Sequence, residues 1–312
     1  MRCTTVIVCV VLTLGGTTAF AEGETDVEGP ANQEEALSVE YQQIPQPTAD
    51  RNYRLQWHFK PVHWAEGVTA GVLGVAAIAL APVHVERRWT GQNAFDDWFR
   101  RRLMATSAKQ ERYDTASDVL AFTSIGFPVL VDLIGVTLIG DRNKEVGLQL
   151  FAIQAQAFAI SGFVTNVVKL SGRERPWALD ANCASGAVDC SKSANKSYFS
   201  SHTSLAFTGA GLTCAEHRHL KLFGRVGDPI ACASVLALAT TTGVFRVVAN
   251  RHWMTDVLTG AGVGLVAGWL MPWLMHYRHD LTKREQGKKR HLYYLAPYGN
   301  AGAIGLSAAG AF

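Results

Sequence analysis

Arg246, His252 and Asp256 mark the densest chemistry in the chain, in the run Arg246-Val-Val-Ala-Asn-Arg251-His252-Trp-Met-Thr-Asp256. His252 and Asp256 stand four residues apart, so on a helix they share a face and can hydrogen-bond. A carboxylate on one imidazole nitrogen fixes the tautomer and leaves the other nitrogen free as nucleophile or base. Arg246, one loop earlier, can grip a phosphate in bidentate fashion. A buried His–Asp clip of purely structural use would show the same spacing. Lys169, Arg173 and Arg175 crowd the stretch before Pro176, where the proline ends a helix. Crowded cations either snorkel at a membrane edge or bind an anion. Ser200, Ser201 and His202 precede an apolar helix. A serine cap there leaves backbone N–H groups facing outward, where the dipole favours an anion that His202 could also reach. An ordinary cap with an exposed histidine fits those residues equally. Asp96 and Asp97 lack partner carboxylates at ligand spacing and read as a solvated helix face, so no metal site is expected.

Long helices are needed to bring these groups together. Six apolar segments serve: Val68–Val83, Val119–Ile139, Val146–Val168, Thr203–Cys214, Ile230–Val248 and Val257–Met275. They lack period-two alternation and are too long for strands. Several approach the roughly 20 residues that span a bilayer, whereas Thr203–Cys214 falls short. The loop His217–Arg225 and the tail Arg278–Arg290 are basic and two helices apart, so both should face the cytoplasm. The loops 171–201 and 250–255 then lie outside, and Val68–Val83 is a non-spanning or re-entrant helix. Trp177, Trp253 and Trp273 fall where a headgroup belt would be.

Composition sets the outer bounds. With 48% apolar and 18% charged residues in 312, and a mean hydropathy of +0.08, the chain is a helical membrane protein with wet segments or a very helical soluble one. A net charge of +3 without a basic, aromatic stripe argues against nucleic acid as a partner. Met1-Arg2, an apolar run from Val6 to Leu14 and Ala19-Phe20-Ala21 read as a cleavable signal over residues 1–21, with an uncleaved anchor as the alternative. Either way the chain is exported. Residues 22–60 read as a flexible polar leader, 61–290 as the helical domain, and 291–312 as a tail that could form a hairpin around Gly299-Asn300. Cys183 and Cys190 flank a polar loop and could close a disulfide in an oxidising compartment. Cys214 and Cys232 lie in apolar stretches, where a buried free thiol is as acceptable as a bridge.

Taken in order, the three charged blocks resemble the type 2 phosphatidic acid phosphatase (PAP2) superfamily, over about residues 115–276. That family places a lysine six residues before Arg-Pro, then Pro-Ser-Gly-His, then Ser-Arg, five residues, His, three residues and Asp. The third block matches from Arg246 through His252 to Asp256, with Phe245 where the family has serine. In the second, Phe199 and Ser201 replace the proline and the glycine. The first is one residue short, which would rotate Lys169 by about 100° unless the helix unwinds or Arg173 takes over. The resemblance implies an all-α PAP2-type bundle of about six helices, embedded in a membrane. It implies a metal-independent phosphatase acting on a phosphate monoester or pyrophosphate, of a lipid or a small ester, through a phosphohistidine on His252. Asp256 would orient His252, and His202 would protonate the leaving oxygen. Lys169, Arg175, Arg246, Ser200, Ser201 and the N–H groups of residues 200–202 would hold the phosphoryl group. No cofactor is implied, and the oligomeric state is left open. The expected location is a bacterial inner membrane with the site facing the periplasm. A soluble periplasmic acid phosphatase is the alternative; a vanadate-dependent haloperoxidase or an inactive phosphate-binding relative is more distant.

Overall fold

The structure is a computed structural model that describes residues 54–180, 193–282, 292–300 and 303–311. Among the described residues the larger unit, 53–280, holds eight helices: α1 Trp64–Leu80, α2 Ala94–Leu103, α3 Ser107–Gly140, α4 Lys144–Lys169, α5 Pro176–Asp180, α6 Ser201–Leu220, α7 Gly224–Val248 and α8 Met254–Tyr277. Each of the six apolar segments falls on one of the longer helices. Pro128 has no N–H to give, and α3 widens into π-type turns at Phe127–Gly140; α8 does so at Val266–Leu270 and Trp273–Tyr277. Helices α3, α4, α7 and α8 are long and apolar enough to cross a membrane, and α1 is shorter. Helix α1 packs on α4 and exposes Val68, Val72, Val75 and Ile78 on its other side.

Helix α6 packs against α3, α4, α7 and α8 and is lined by small residues. It runs on past Cys214 to Leu220, because Glu216 and His217 find partners inside the bundle. Gln154 donates to Glu216 at 2.9 Å, and His217 lies 2.8 Å from Asp228 and 3.1 Å from Asp132. Opposite α6, glycines recur every fourth residue of α8. A Cβ on Gly264 would run into the carbonyl oxygen of Ser204 and lie 2.7 Å from the Cβ of Phe207, so the two backbones meet only because that side chain is absent.

The bundle begins earlier than expected. Leu55 and Phe59, assigned to the leader, are buried in the core with Leu150, Leu212 and Tyr277. The N–H groups of Arg54 and Leu55 donate to the Asp141 carboxylate at 2.9 and 3.0 Å. Two apolar side chains among polar neighbours gave too little pattern to reveal this docking. Cys214 and Cys232 form a disulfide that ties α6 to α7, so the thiol reading gives way to the bridge. Trp253 is no headgroup anchor: it is 1% exposed, and its indole donates to the Glu174 carbonyl at 2.9 Å. The tail forms the expected hairpin, with β1 Leu292–Asn300 antiparallel to β2 Ala303–Ala311 and Leu292 opposite Ala311. The signal segment 1–21, most of the leader and the Cys183–Cys190 pairing lie outside the described residues.

Candidate active site

The site forms where α7 hands over to α8. Helix α7 ends at Val248, Asn250 turns the chain in the left-handed region (φ 59°), and the N–H groups of Arg251 and His252 both return to the Arg246 carbonyl. Trp253 caps α8, and Asp256 sits in its first turn with Oδ2 accepting from the Trp253 N–H at 3.1 Å. His252 therefore precedes the helix rather than riding on it, and capping geometry, not a shared helical face, sets Asp256 Oδ2 3.4 Å from His252 Nδ1. Ser197 Oγ donates to the same carboxylate oxygen at 2.5 Å, and Arg173 Nη1 to its other oxygen at 2.5 Å. Asp256 is thus fixed from three sides, and among the described residues His252 Nε2 has no hydrogen-bond partner. Burial, then Arg175, Arg246, Lys169 and His202, hold the His252 pKa well below the ordinary imidazole value. The ring is neutral near pH 7 and its Nε2 lone pair is free when Nδ1 carries the proton and donates to Asp256 Oδ2.

The cations arrive from three loops. Lys169 is the last residue of α4, and the turn Leu170-Ser171-Gly172 follows it. Gly172 has φ 72°, and a Cβ there would lie 2.5 Å from the Glu86 carbonyl oxygen. This turn absorbs the missing residue: Lys169 Nζ donates to Ser201 Oγ at 2.9 Å. Arg173 does not replace Lys169. It points away, 2% exposed, to Asp96 at 2.7 Å, Asp256, the Gly91 carbonyl at 2.6 Å and Thr255 Oγ1 at 2.7 Å, with Trp89, Tyr198 and Trp253 around its guanidinium. Arg175 keeps its Nε unpartnered; burial and then Arg246 and Arg251 lower its pKa to about 10, which still leaves it charged near neutrality. Arg246 Nη1 donates to Asp114 at 2.6 Å, Ser117 at 3.1 Å and Asp118 at 3.1 Å, while its Nε has no partner among the described residues.

The third wall is the N-terminus of α6. Ser201 begins the helix and is not among the positive-φ residues, so a side chain there is unstrained. Ser200 is the cap, its Oγ accepting from Thr203 Oγ1 at 2.9 Å and from the Thr203 N–H at 3.4 Å. The Ser200 N–H donates to the Asp256 carbonyl, so of the three expected backbone donors only those of Ser201 and His202 remain for an anion. His202 Nε2 lies 3.1 Å from Asp118 Oδ1. Burial, then Arg246, Lys169 and Arg175, lower its pKa to about 3.

Several members of the site escape a reading of the sequence. Asp96 is not on a solvated face. It is fully buried, pairs with Arg173, and accepts from the Thr255 N–H and Oγ1 at 2.8 and 2.7 Å. Asn93 caps α2 by accepting from the Asp96 N–H at 2.9 Å, and its side-chain amide donates to Asp96 Oδ2 at 2.7 Å. Asp114 and Asp118 hold Arg246, Arg251 and His202 through contacts between distant parts of the chain. Chemically, the arrangement offers a neutral imidazole nucleophile, a second imidazole on a carboxylate, and three cations that could receive a tetrahedral dianion.

A family model described as the PAP2 superfamily matches residues 151–280. The chain is 33% identical over 168 residues to a lipid A 1-phosphatase of Porphyromonas gingivalis, covering 51% of this chain and 33% of that protein. It is 27% identical over 187 residues to a PA-phosphatase related-family protein of Dictyostelium discoideum, covering 51% of this chain and 67% of that one. The chain thus spans about a third of the length of the first relative. Among solved structures it is similar to Aquifex aeolicus LpxE (TM-score 0.37, 18% identity, 57% of this chain and 94% of that one). It is also similar to a transmembrane PAP2 type phosphatidylglycerolphosphate phosphatase of Bacillus subtilis (TM-score 0.44, 18% identity, 67% and 95%).

Proposed function

We propose, from the match of a PAP2 superfamily model to residues 151–280, that this protein is a membrane-embedded, metal-independent lipid phosphatase working through a phosphohistidine on His252. The observation that carries the proposal is the unpartnered, buried Nε2 of His252, whose strongest charged neighbours are Arg175, Arg246 and Lys169. A phosphate ester held by those cations and by the N–H groups of Ser201 and His202 presents phosphorus to Nε2. The N–P bond forms as the P–O ester bond breaks, and His202 gives its proton to the departing oxygen. Asp256 stabilises the developing imidazolium through Nδ1, while Ser197, Arg173 and the Trp253 N–H keep that carboxylate in place. Water then attacks phosphorus, His202 takes its proton, and the N–P bond breaks to return free His252. Fixed cations do here what a metal does in other phosphoryl transfers. Asp118 bridges His202 and Arg246 and would keep the acid facing the phosphate.

The substrate class follows from the setting: a phosphate monoester or pyrophosphate on a lipid, at the level where the spans end. Phosphate release from phosphatidic acid, phosphatidylglycerol phosphate, undecaprenyl pyrophosphate, lipid A and soluble esters, with EDTA present, tests this against His252→Ala. Equal rates in the two proteins would sink the mechanism. The basic loop around Arg218 and Arg225 favours a cytoplasmic position for the other end of the bundle, and so a periplasmic site. The Cys214–Cys232 bridge at that other end favours the opposite orientation, since disulfides persist in oxidising compartments. An alkaline phosphatase reporter fused to the C-terminus decides: it stays inactive for a periplasmic site and is active for a cytoplasmic one.

A further inference from the structure

Helix α2 has two faces of opposite kind. Its inner face is fixed: Asp96 is buried with Arg173 and Thr255, Phe99 and Leu103 pack on Val247, Met254 and Val257, and Arg100 Nε donates to Asn250 Oδ1 at 2.9 Å. Its outer face carries Phe95, Trp98, Arg101 and Arg102, all exposed, with both aromatic residues at 46%. The spacing of three to four residues lines them along one side. The Arg102 guanidinium lies 4.7 Å from the Trp98 ring centroid. Trp89 and Met104, also exposed, lie just beyond the two ends of the helix. The one further acid on α2 is Asp97, half-buried, against the two exposed arginines.

The inner contacts also fix the depth of this face. Val247 is in the last turn of α7 and Met254 opens α8, and both helices are long and apolar enough to span. Helix α2 therefore sits where two spans end. At that level aromatic rings favour the headgroup region, and arginines beside them reach lipid phosphates while their stems stay in apolar surroundings. In water the same rings would stay exposed with nothing to offset the cost. We propose that the outer face of α2 docks on the headgroup layer of anionic phospholipids and holds the α7–α8 loop, with His252, at the bilayer surface.

The test is fluorescence of the full-length protein in nanodiscs of phosphatidylcholine and phosphatidylglycerol, with Trp98 isolated as the difference between wild type and Trp98→Phe. Lipids brominated next to the carbonyl should remove at least half of that difference signal, and aqueous iodide should leave it unchanged. Brominated phosphatidylglycerol should quench about twofold more than brominated phosphatidylcholine, and the double variant Arg101→Gln, Arg102→Gln should remove that preference. Quenching by iodide and not by brominated lipid would overturn the proposal by placing the face in water. Quenching by neither would overturn it by showing that protein covers the face. An unchanged lipid preference in the double variant would overturn the anionic assignment. The readout needs no turnover, so a failed phosphatase reading leaves it standing and the converse holds too.

Discussion

His202 links charge to the proposed catalysis, because its protonation depends on what stands between it and the cations. In the free protein burial and then Arg246, Lys169 and Arg175 lower its pKa to about 3, so the ring is neutral near pH 7 and lacks the second proton of an imidazolium. A bound dianion offsets those cations and raises the pKa, so binding takes up a proton and tightens as pH falls. Calorimetry with tungstate, a dianion near neutral pH, in buffers of different ionisation enthalpy should report that uptake, and His202→Gln should abolish it. With His202 as the proposed acid for the leaving oxygen, His202→Ala should lower kcat on a lipid phosphate by about 10²–10⁴-fold. The loss should be far smaller with p-nitrophenyl phosphate, whose leaving group departs without a proton. Equal losses on both substrates would remove His202 from the acid role.

Among the elements, α2 and α8 carry the weight of positioning. Asp96 reaches from α2 to the start of α8 and shares Arg173 with Asp256, so the loop bearing His252 is pinned through a buried ion network. Asp96→Ala leaves the buried Arg173 with one carboxylate, and should cost about 3–5 kcal/mol, read as a lowered midpoint of thermal unfolding in detergent. Asp96→Asn keeps an acceptor for the Thr255 N–H and should lose less. Deeper in α8, Gly264→Leu should destabilise by about 1–3 kcal/mol or more, because the added side chain meets the Ser204 carbonyl and Phe207. An unfolding midpoint equal to wild type would mean that α6 and α8 do not approach as closely as described. Both effects were hard to read in the sequence. Asp96 pairs across 77 residues with an arginine whose neighbours looked like phosphate ligands, and no local period announces such a pair. The helices themselves were legible, because apolar runs such as Val146–Val168 leave no other element that satisfies the backbone.

For the whole molecule, four long apolar helices make this a membrane protein, and carbonate extraction should leave it in the pellet. Release to the supernatant would contradict that. The order of the three charged blocks was the part of the site that the chain wrote plainly, since His252, Asp256, Arg246, Lys169, Arg175 and His202 do meet at one end of the bundle. What stayed hidden was the supporting shell: Asp114 and Asp118 on α3 and Ser197 in the loop before α6, each joined to the site by tertiary contact alone. Trp253 was misplaced for the same reason, as amphipathic aromatics look alike in sequence whether they meet lipid or a buried carbonyl. The central claim, a covalent phosphohistidine on His252, is tested most directly by rapid quench of wild-type enzyme with labelled substrate in EDTA, followed by peptide mapping. The expected result is an alkali-stable, acid-labile phosphoryl group on the peptide containing His252, absent from His252→Ala. Full turnover by His252→Ala, or a phosphoryl group on another residue, would contradict it.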